Sequence, residues 1–344
     1  MKIVDVSGYG NSGKTAISEY LLASRQIRGF APSVEFELFR INFGLYDLYD
    51  AAVENWNPMR FTYRLKRFER VIKRISGIVK MGNPFSYLLY SGHSYNKTIG
   101  PHFSAASFEF IDALKLHSVN YLNPFCNLYN SNLELFYNKS NYIISGKIPE
   151  VEVFMVFREK FIELLNQYIE SIFLPILNEQ QHTIALNNAF EPYNALGCLK
   201  FIRNAKSIVV KRDPRDIYAN VQLFNSSKIF VPKFELYKEA DFIKKKVSNT
   251  NDIEKFCLRY RTLMENSYFE SDRIMVINFE DFILKHNEYS EIINTYLDLN
   301  PDLFEKREFD TLKSSKNIGL WKHLGNDPGL QIITDQLSQY CYTG

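Results

Sequence analysis

Cysteine is scarce in this sequence, with four residues in 344, and no two of them form a Cys-x-x-Cys pair or a cluster with histidine. The four are Cys126, Cys198, Cys257 and Cys341. A reduced, cytoplasmic setting without a structural metal is therefore predicted. Long hydrophobic runs are also missing, since none approaches the ~18 apolar residues that a membrane span needs. The N-terminus reaches glycine too early for a secretion signal, so we expect a soluble protein.

The sequence has no excess of either charge, because 41 Lys and Arg residues balance 39 Asp and Glu residues to a formal charge of +2. No global field argues for nucleic acid as a partner, and any basic site must be local. Apolar residues make up 46% of the chain and aromatic residues 15%, which is ample material for a core. For the aromatic residues, core packing is a simpler explanation than an aromatic wall around a ligand.

Apolar segments followed by helical segments recur along the chain. Strand-like segments cover residues 2–7, 34–40, 182–189, 206–213 and 273–281. Helical periodicity covers residues 14–24, 45–80 and 151–178, whereas residues 81–150 are rich in Asn, Tyr, Ser and Gly and have weak periodicity. This alternation is typical of a parallel sheet covered by helices. We therefore predict a single α/β domain over residues 1–344, with a largely helical insertion at 45–180.

Residues 8–15 fit the pattern Gly-x-x-x-x-Gly-Lys-Thr and lie between a predicted strand and a predicted helix. Glycines let successive backbone N–H groups turn towards an anion, and the following helix adds its positive N-terminus. The lysine adds a full charge, and the threonine hydroxyl can reach a phosphate oxygen or a metal. An ordinary tight turn is the alternative, which the strand–loop–helix context disfavours. The pattern predicts a P-loop nucleoside-triphosphatase-like fold with phosphate bound by Gly10, Asn11, Ser12, Gly13, Lys14 and Thr15.

A second predicted anion site lies at residues 206–224, where a buried strand ends at Arg212 and Pro214 begins a helix. Arg212 would project at the carboxyl edge of the sheet, where open α/β folds bind their ligands. Asp216 falls in the first helical turn, where the helix dipole favours an acid. We interpret Arg215 and Asp216 as a helix cap with salt bridges.

The sequence offers little support for NTP hydrolysis, which usually needs a strand ending in an acid that holds Mg²⁺. Glu280 and Asp281 are the nearest candidates, but they follow the end of their strand and no arginine-finger motif accompanies them. No histidine pair has the spacing of metal ligands, although His93 and His102 could reach a ligand from the irregular segment. We expect no metal in the site.

Four segments, in order, resemble the sulfotransferases that use 3′-phosphoadenosine 5′-phosphosulfate (PAPS). They are the loop at 8–15, the strand and helix at 206–224, Phe279-Glu280-Asp281-Phe282, and Lys316-Asn317-Ile318-Gly319-Leu320-Trp321-Lys322. The resemblance implies that Arg212 and Asn220 bind the 3′-phosphate, with Asn220 standing where the family has serine. It also implies that Lys316 and Gly319 close over the same end of the nucleotide.

Two catalytic residues follow from this resemblance and from the chemistry of sulfuryl transfer. Asn11 stands where many family members have the lysine that assists departure of the bridging oxygen, so we assign that role to Lys14. A base must take the proton of the acceptor, and Glu35 and Glu37 lie near the region where some carbohydrate sulfotransferases carry a catalytic Glu. Alternation puts both on one face of the predicted strand. We prefer Glu37, nearer the carboxyl end; a solvent-facing strand edge is the alternative.

The resemblance implies transfer of a sulfuryl group from the co-substrate PAPS to a hydroxyl or amine. The acceptor would be a carbohydrate (a glycan) or a small metabolite, bound by the insertion at 45–180. Two other functions stay open. The intact Gly-Lys-Thr ending favours a P-loop ATP-dependent kinase, and Asn11 and Asn220 favour a non-catalytic nucleotide-binding protein. A requirement for Mg²⁺ would separate the kinase from the sulfotransferase.

Overall fold

A parallel sheet of five strands is the centre of the fold. The computed structural model describes residues 1–31, 34–77, 94–122, 131–146, 148, 150–224, 250–305 and 309–344. The strands in these ranges are β1 (Lys2–Gly8), β2 (Ile27–Gly29), β3 (Ser118–Leu122), β4 (Glu150–Phe154), β5 (Thr183–Asn187), β6 (Ala205–Lys211) and β7 (Ile274–Asn278). The sheet has the order β2-β5-β1-β6-β7, and β3 and β4 form a separate antiparallel pair.

Helices connect and cover the strands. In chain order the described helices are α1 (Lys14–Leu22), α2 (Leu45–Tyr49), α3 (Pro58–Ile75), α4 (Tyr95–Thr98), α5 (His102–Leu114), α6 (Asn132–Ser145), α7 (Arg158–Phe173), α8 (Ala195–Leu199), α9 (Pro214–Phe224), α10 (Thr250–Glu265), α11 (Phe279–Leu284), α12 (His286–Leu297), α13 (Thr311–Ser315) and α14 (Pro328–Leu337). A π-helical turn follows α2 at Asp50–Glu54, and a 3₁₀ turn at Leu320–Leu324 follows α13. Within the described ranges, no helix has both the length and the apolar character needed to cross a membrane.

The central strand β1 is buried along almost its whole length, as is typical of a strand inside a parallel α/β sheet. Lys2 pairs in register with Thr183 of β5, and Ile3 pairs with Ala205 of β6. Ile17 of α1 is fully buried in the apolar cluster that packs against this sheet. The prediction of an α/β fold, with a parallel sheet flanked by helices, is confirmed.

The chain divides into two compact units. Residues 1–40 and 177–344 form the first unit, which contains the five-stranded sheet. Residues 41–176 form the second unit, which contains α2–α7 and the β3–β4 pair. Its core is aromatic: the rings of Phe110 and Tyr168 stack with their centroids 4.6 Å apart.

The predicted strand at residues 34–40 is wrong. Residues 38–40 form a turn, and the strand that pairs with β5 is β2. Leu38 and Phe39 are both fully buried although they are consecutive, so the side chains do not alternate between two faces as they would in a strand. The apolar–polar alternation that suggested a strand therefore ends at Leu38.

The predicted helix at residues 151–178 is wrong at its start, because β4 occupies the first residues and α7 begins at Arg158. Valines alternate with glutamates in β4, so the local period is two and not 3.6. The described part of 81–150 is more regular than expected, since α5 and α6 lie within it. Phe103 and Phe110 of α5 are buried at helical spacing, a signal that the polar composition of the segment obscured.

Candidate phosphate-binding site

The predicted phosphate loop connects β1 to α1 at the carboxyl edge of the sheet. Gly13 precedes α1 with φ 86° and ψ 10°, a left-handed conformation that favours glycine. A Cβ atom at this position would lie 2.2 Å from Cδ2 of Phe279, so the loop passes directly against that ring. Asn11 is also left-handed, with φ 64°. Left-handed residues in such a turn let neighbouring N–H groups converge on an anion.

Tyr9, which follows the first glycine of the loop, points into an aromatic cluster. Its ring stacks on Tyr260 with centroids 5.0 Å apart and meets Tyr193 edge-on at 5.2 Å. The side chain is buried, and this burial raises the pKa of Tyr9 above its ordinary value. Tyr9 therefore attaches the start of the loop to α10, and its buried ring stabilises the loop by packing in the core.

Arg212 links the phosphate loop to the C-terminal segment at 316–322. Its Nη1 donates to the carbonyl oxygen of Asn11 at 2.8 Å, and its Nη2 donates to the carbonyl oxygen of Asn317 at 2.5 Å. Its Cζ lies 5.0 Å from the ring centroid of Phe279. The side chain is 5% exposed, and burial lowers the pKa of Arg212. The four segments that carry the family resemblance thus meet around one guanidinium group.

Asp216 holds the C-terminal segment in place. Its carboxylate accepts hydrogen bonds from the backbone N–H groups of Gly319 at 2.8 Å and Trp321 at 3.1 Å. Burial raises the pKa of Asp216, and those two hydrogen bonds act against that rise. Arg215 pairs with Asp213 at 2.6 Å and lies over the ring of Trp321 at 4.5 Å. The expected salt bridge is therefore made by Arg215, whereas Asp216 ties a distant segment to the start of α9.

Lys14 lies in a group of charged side chains. Its Nζ is 3.6 Å from Oε1 of Glu35, and Oε2 of Glu35 is 3.6 Å from Nη2 of Arg40. Glu37 is 3.7 Å from the same Arg40 nitrogen. Each of these side chains is at most 13% exposed, so their charges are poorly screened by water. The structure brings Glu35, and not the preferred Glu37, next to the lysine of the loop.

Two residues of this site, Asp5 and Asn188, were not predicted from the sequence. Asp5 is fully buried in β1, where it accepts hydrogen bonds from the N–H of Ala189 at 2.7 Å and the hydroxyl of Ser207 at 3.1 Å. Burial raises the pKa of Asp5 to about 6. Oδ1 of Asn188 accepts a hydrogen bond from the N–H of Gly8 at 3.2 Å. The sequence did contain a signal for Asp5, since it is an acid inside an apolar strand. Such a residue needs partners from elsewhere in the fold.

The remaining predicted residues are more exposed. Thr15 is exposed in the first turn of α1, Asn220 is partly exposed on α9, and Lys316 is exposed just after α13. His93 lies outside the described residues. His102 belongs to the 41–176 unit, where its Nε2 donates to a main-chain carbonyl of α7 at 2.9 Å.

The two acids that were the nearest magnesium candidates lie in the first turn of α11. Oε1 of Glu280 accepts a hydrogen bond from the N–H of Asp213 at 2.9 Å, and burial raises the pKa of Glu280 to about 7. Asp281 accepts a hydrogen bond from the hydroxyl of Tyr342 at 2.8 Å and pairs with Lys285 at 3.2 Å. Across the described ranges, no three His, Cys, Asp or Glu side chains are grouped so that they could hold a metal ion.

Among the buried donors that have no hydrogen-bond acceptor in the described residues are Oγ of Ser12 and Nε of Arg212, together with Oη of Tyr9 in the aromatic cluster. Ser12 is fully buried and Arg212 almost so. Buried polar atoms in folded proteins are nearly always bonded, so a donor of this kind is open to an acceptor that the described residues do not supply. Ser12 belongs to the loop and Arg212 to the second predicted anion site. The donor set therefore fits a ligand with two separate anionic groups.

A scan against protein-family models gives no match, and a search of curated proteins gives none either. Solved structures give distant matches. The sulfotransferase domain from the curacin biosynthetic pathway is 13% identical with a TM-score of 0.40, over 98% of this chain and 97% of that one. The sulfotransferase domain of the Synechococcus PCC 7002 olefin synthase is 11% identical with a TM-score of 0.37, over 99% and 95%. Retinol dehydratase in complex with androsterone and inactive cofactor PAP is 11% identical with a TM-score of 0.34, over 98% and 80%. Likenesses this distant do not determine the activity of this chain.

Proposed function

We propose that the chain is a sulfotransferase that moves a sulfuryl group from PAPS to a hydroxyl or amine acceptor. The supporting observation is that the two predicted anion sites meet at Arg212, which bonds to Asn11 of the loop and to Asn317 of the C-terminal segment. PAPS carries a 5′-phosphosulfate and a 3′-phosphate on one ribose, so it needs two neighbouring anion sites, whereas the phosphates of ATP need one. The unbonded donors of Ser12 and Arg212 supply one to each site.

The loop would bind the 5′-phosphosulfate through its backbone N–H groups, and Lys14 would stabilise the negative charge that develops on the departing phosphate oxygen. Arg212 and Asn220 would bind the 3′-phosphate, with Lys316 at the same end of the nucleotide. Gly319 already donates its N–H to a carboxylate, so we expect it to shape the C-terminal segment and not to bind phosphate.

In the reaction, the acceptor oxygen or nitrogen bonds to sulfur while the bond from sulfur to the bridging phosphate oxygen breaks, and the acceptor loses one proton. We assign that proton to Glu35 in place of Glu37, because Glu35 lies 3.6 Å from Lys14, the group expected at the bridging oxygen. Glu35→Gln should lower kcat by about 10²–10⁴-fold, the usual contribution of a general base. Glu37→Gln is the matched control, since it shares the Arg40 partner, and a larger loss in Glu37→Gln would refute the assignment.

Titration calorimetry with 3′-phosphoadenosine 5′-phosphate (PAP), the desulfated product, tests the nucleotide. PAP should bind in the presence of EDTA, and Lys14→Ala should weaken it about tenfold or more, because a charge-assisted contact to phosphate is lost. Failure to bind PAP, together with tight binding of ATP and Mg²⁺, would refute the proposal. The acceptor-binding role of residues 45–180 stays a prediction, which a screen of carbohydrates and small amines with radiolabelled PAPS would test.

A P-loop ATP-dependent kinase is the second candidate, and the intact Gly13-Lys14-Thr15 ending of the loop favours it. In such enzymes the lysine and the following hydroxyl act on the β- and γ-phosphates and on Mg²⁺. The measurement that separates the two is the metal dependence of nucleotide binding. ATP affinity that rises with added Mg²⁺, alongside no affinity for PAP, would favour the kinase.

A further inference from the structure

Asn188 occupies an unusual conformation directly after β5. Its φ is 48°, in the left-handed region that asparagine tolerates better than most residues other than glycine. Its side chain is 7% exposed, and its N–H donates to the carbonyl of Val6 at 3.0 Å. The residue is thus fixed against the neighbouring strand β1, two residues before the phosphate loop begins.

The side-chain amide of Asn188 connects the loop to the charged group around Lys14. Its Oδ1 accepts the N–H of Gly8 at 3.2 Å, and its Nδ2 donates to Oε1 of Glu35 at 3.2 Å. Its carbonyl oxygen accepts from Nε of Arg40 at 2.6 Å. One residue therefore restrains the first glycine of the loop and the carboxylate beside the loop lysine.

Asp5 holds the turn that carries Asn188. Its carboxylate accepts the N–H of Ala189, the next residue, at 2.7 Å, and it also accepts hydrogen bonds from the hydroxyls of Ser7 and Ser207. These partners lie on β1, on β6 and after β5, so the turn is bonded across three neighbouring strands. Because all three donors bond to the one Asp5 carboxylate, the turn is restrained against both neighbouring strands.

We propose that Asn188 is a positioning residue that restrains Glu35 and so keeps the charge of Lys14 available to a bound phosphate. The proposal rests on the phosphate-binding part of the proposed function, and it does not depend on which group is transferred. Glu35 lies 3.6 Å from Lys14, longer than a close charge-assisted hydrogen bond of about 2.7–2.9 Å. Without the Asn188 amide, the carboxylate loses one donor and pairs more closely with the lysine. It then competes with the phosphate for the same charge.

Asn188→Gly tests this without backbone strain, because glycine adopts positive φ readily. Binding of inorganic pyrophosphate is measured by calorimetry for the wild type, Asn188→Gly, Glu35→Gln and the double variant. Asn188→Gly should bind about tenfold more weakly, the effect of one hydrogen bond to a charged group. Glu35→Gln should bind as tightly as the wild type or more tightly. The double variant should match Glu35→Gln, because the competing charge is gone.

This rescue distinguishes positioning from general damage to the loop, which would leave the double variant as weak as Asn188→Gly. Asn188→Asp is the second variant: it keeps an acceptor for Gly8 but places a like charge against Glu35, so it should bind at least as weakly as Asn188→Gly. Wild-type affinity in Asn188→Gly, or no rescue in the double variant, overturns the proposal. Pyrophosphate binding without PAP binding would overturn sulfuryl transfer alone, whereas loss of both in the wild type would overturn both proposals.

Discussion

Replacement of Gly13 by alanine should destabilise the protein by more than the usual cost of placing alanine at a left-handed position. The φ of 86° costs a residue with a Cβ about 1–2 kcal/mol. The new Cβ would also lie 2.2 Å from Cδ2 of Phe279, and overpacking of this kind typically costs about 1–3 kcal/mol. Together these give a loss of roughly 2–5 kcal/mol in the free energy of unfolding.

Gly319→Ala is the matched control for this substitution. Gly319 lies in the same compact unit, and its φ of 73° is also left-handed. A Cβ there would meet Lys322 at 3.6 Å, an ordinary contact, so only the conformational cost of about 1–2 kcal/mol should appear. Both free energies are measured by urea unfolding followed by circular dichroism. Equal losses in the two variants would show that the loop does not depend on the close approach to Phe279.

Three further predictions concern other parts of the chain. Burial raises the pKa of Asp5 from 3.8 to about 6, so the folded state prefers the protonated acid. The stability of the wild type relative to Asp5→Asn should therefore fall by about 3 kcal/mol as the pH rises from about 4 to above 6, and a difference that does not change with pH would contradict this. Asp216→Asn replaces two charge-assisted hydrogen bonds by neutral ones at best, which should cost about 1–3 kcal/mol and accelerate amide exchange in the C-terminal segment. Tyr168→Phe should cost only about 1 kcal/mol in thermal unfolding, because Ser107 keeps a second partner, a carbonyl on its own helix; a much larger loss would mean that the phenol organises the 41–176 unit.

The parts of the fold that sequence patterns predicted are those that local chemistry determines. Four of the five predicted strand segments, at 2–7, 182–189, 206–213 and 273–281, correspond to β1, β5, β6 and β7. Uninterrupted apolar runs of this kind are what a buried parallel strand requires. The loop and α1 follow from the glycine pattern. Arg212 lies where a strand-end residue must lie in a parallel sheet, at the carboxyl edge beside the loop.

The parts that could not be predicted depend on partners far away in the chain. Glu35 and Glu37 have the same local surroundings in the sequence and lie at nearly equal distances from Arg40. The contact of Glu35 with Lys14 is what distinguishes them. Asp216 was expected to act within its own helix, but its two bonds reach a segment about a hundred residues later. No local pattern encodes such pairings, because they arise when the tertiary structure brings the segments together.

The place of the 41–176 unit in the chain has a consequence for biosynthesis. The strand that carries the phosphate loop is made first, yet both of its neighbours, β5 and β6, are translated only after residues 41–176. At about 5–20 residues per second, the ribosome needs roughly 7–27 s to cross that stretch, during which neither strand that pairs with β1 has been made. Nascent chains in this interval would carry an unpaired apolar strand and be natural clients of chaperones. The phosphate loop therefore gains its strand neighbours late in synthesis, and a ribosome stalled before β6 should hold no chain in which Arg212 is bonded to the loop.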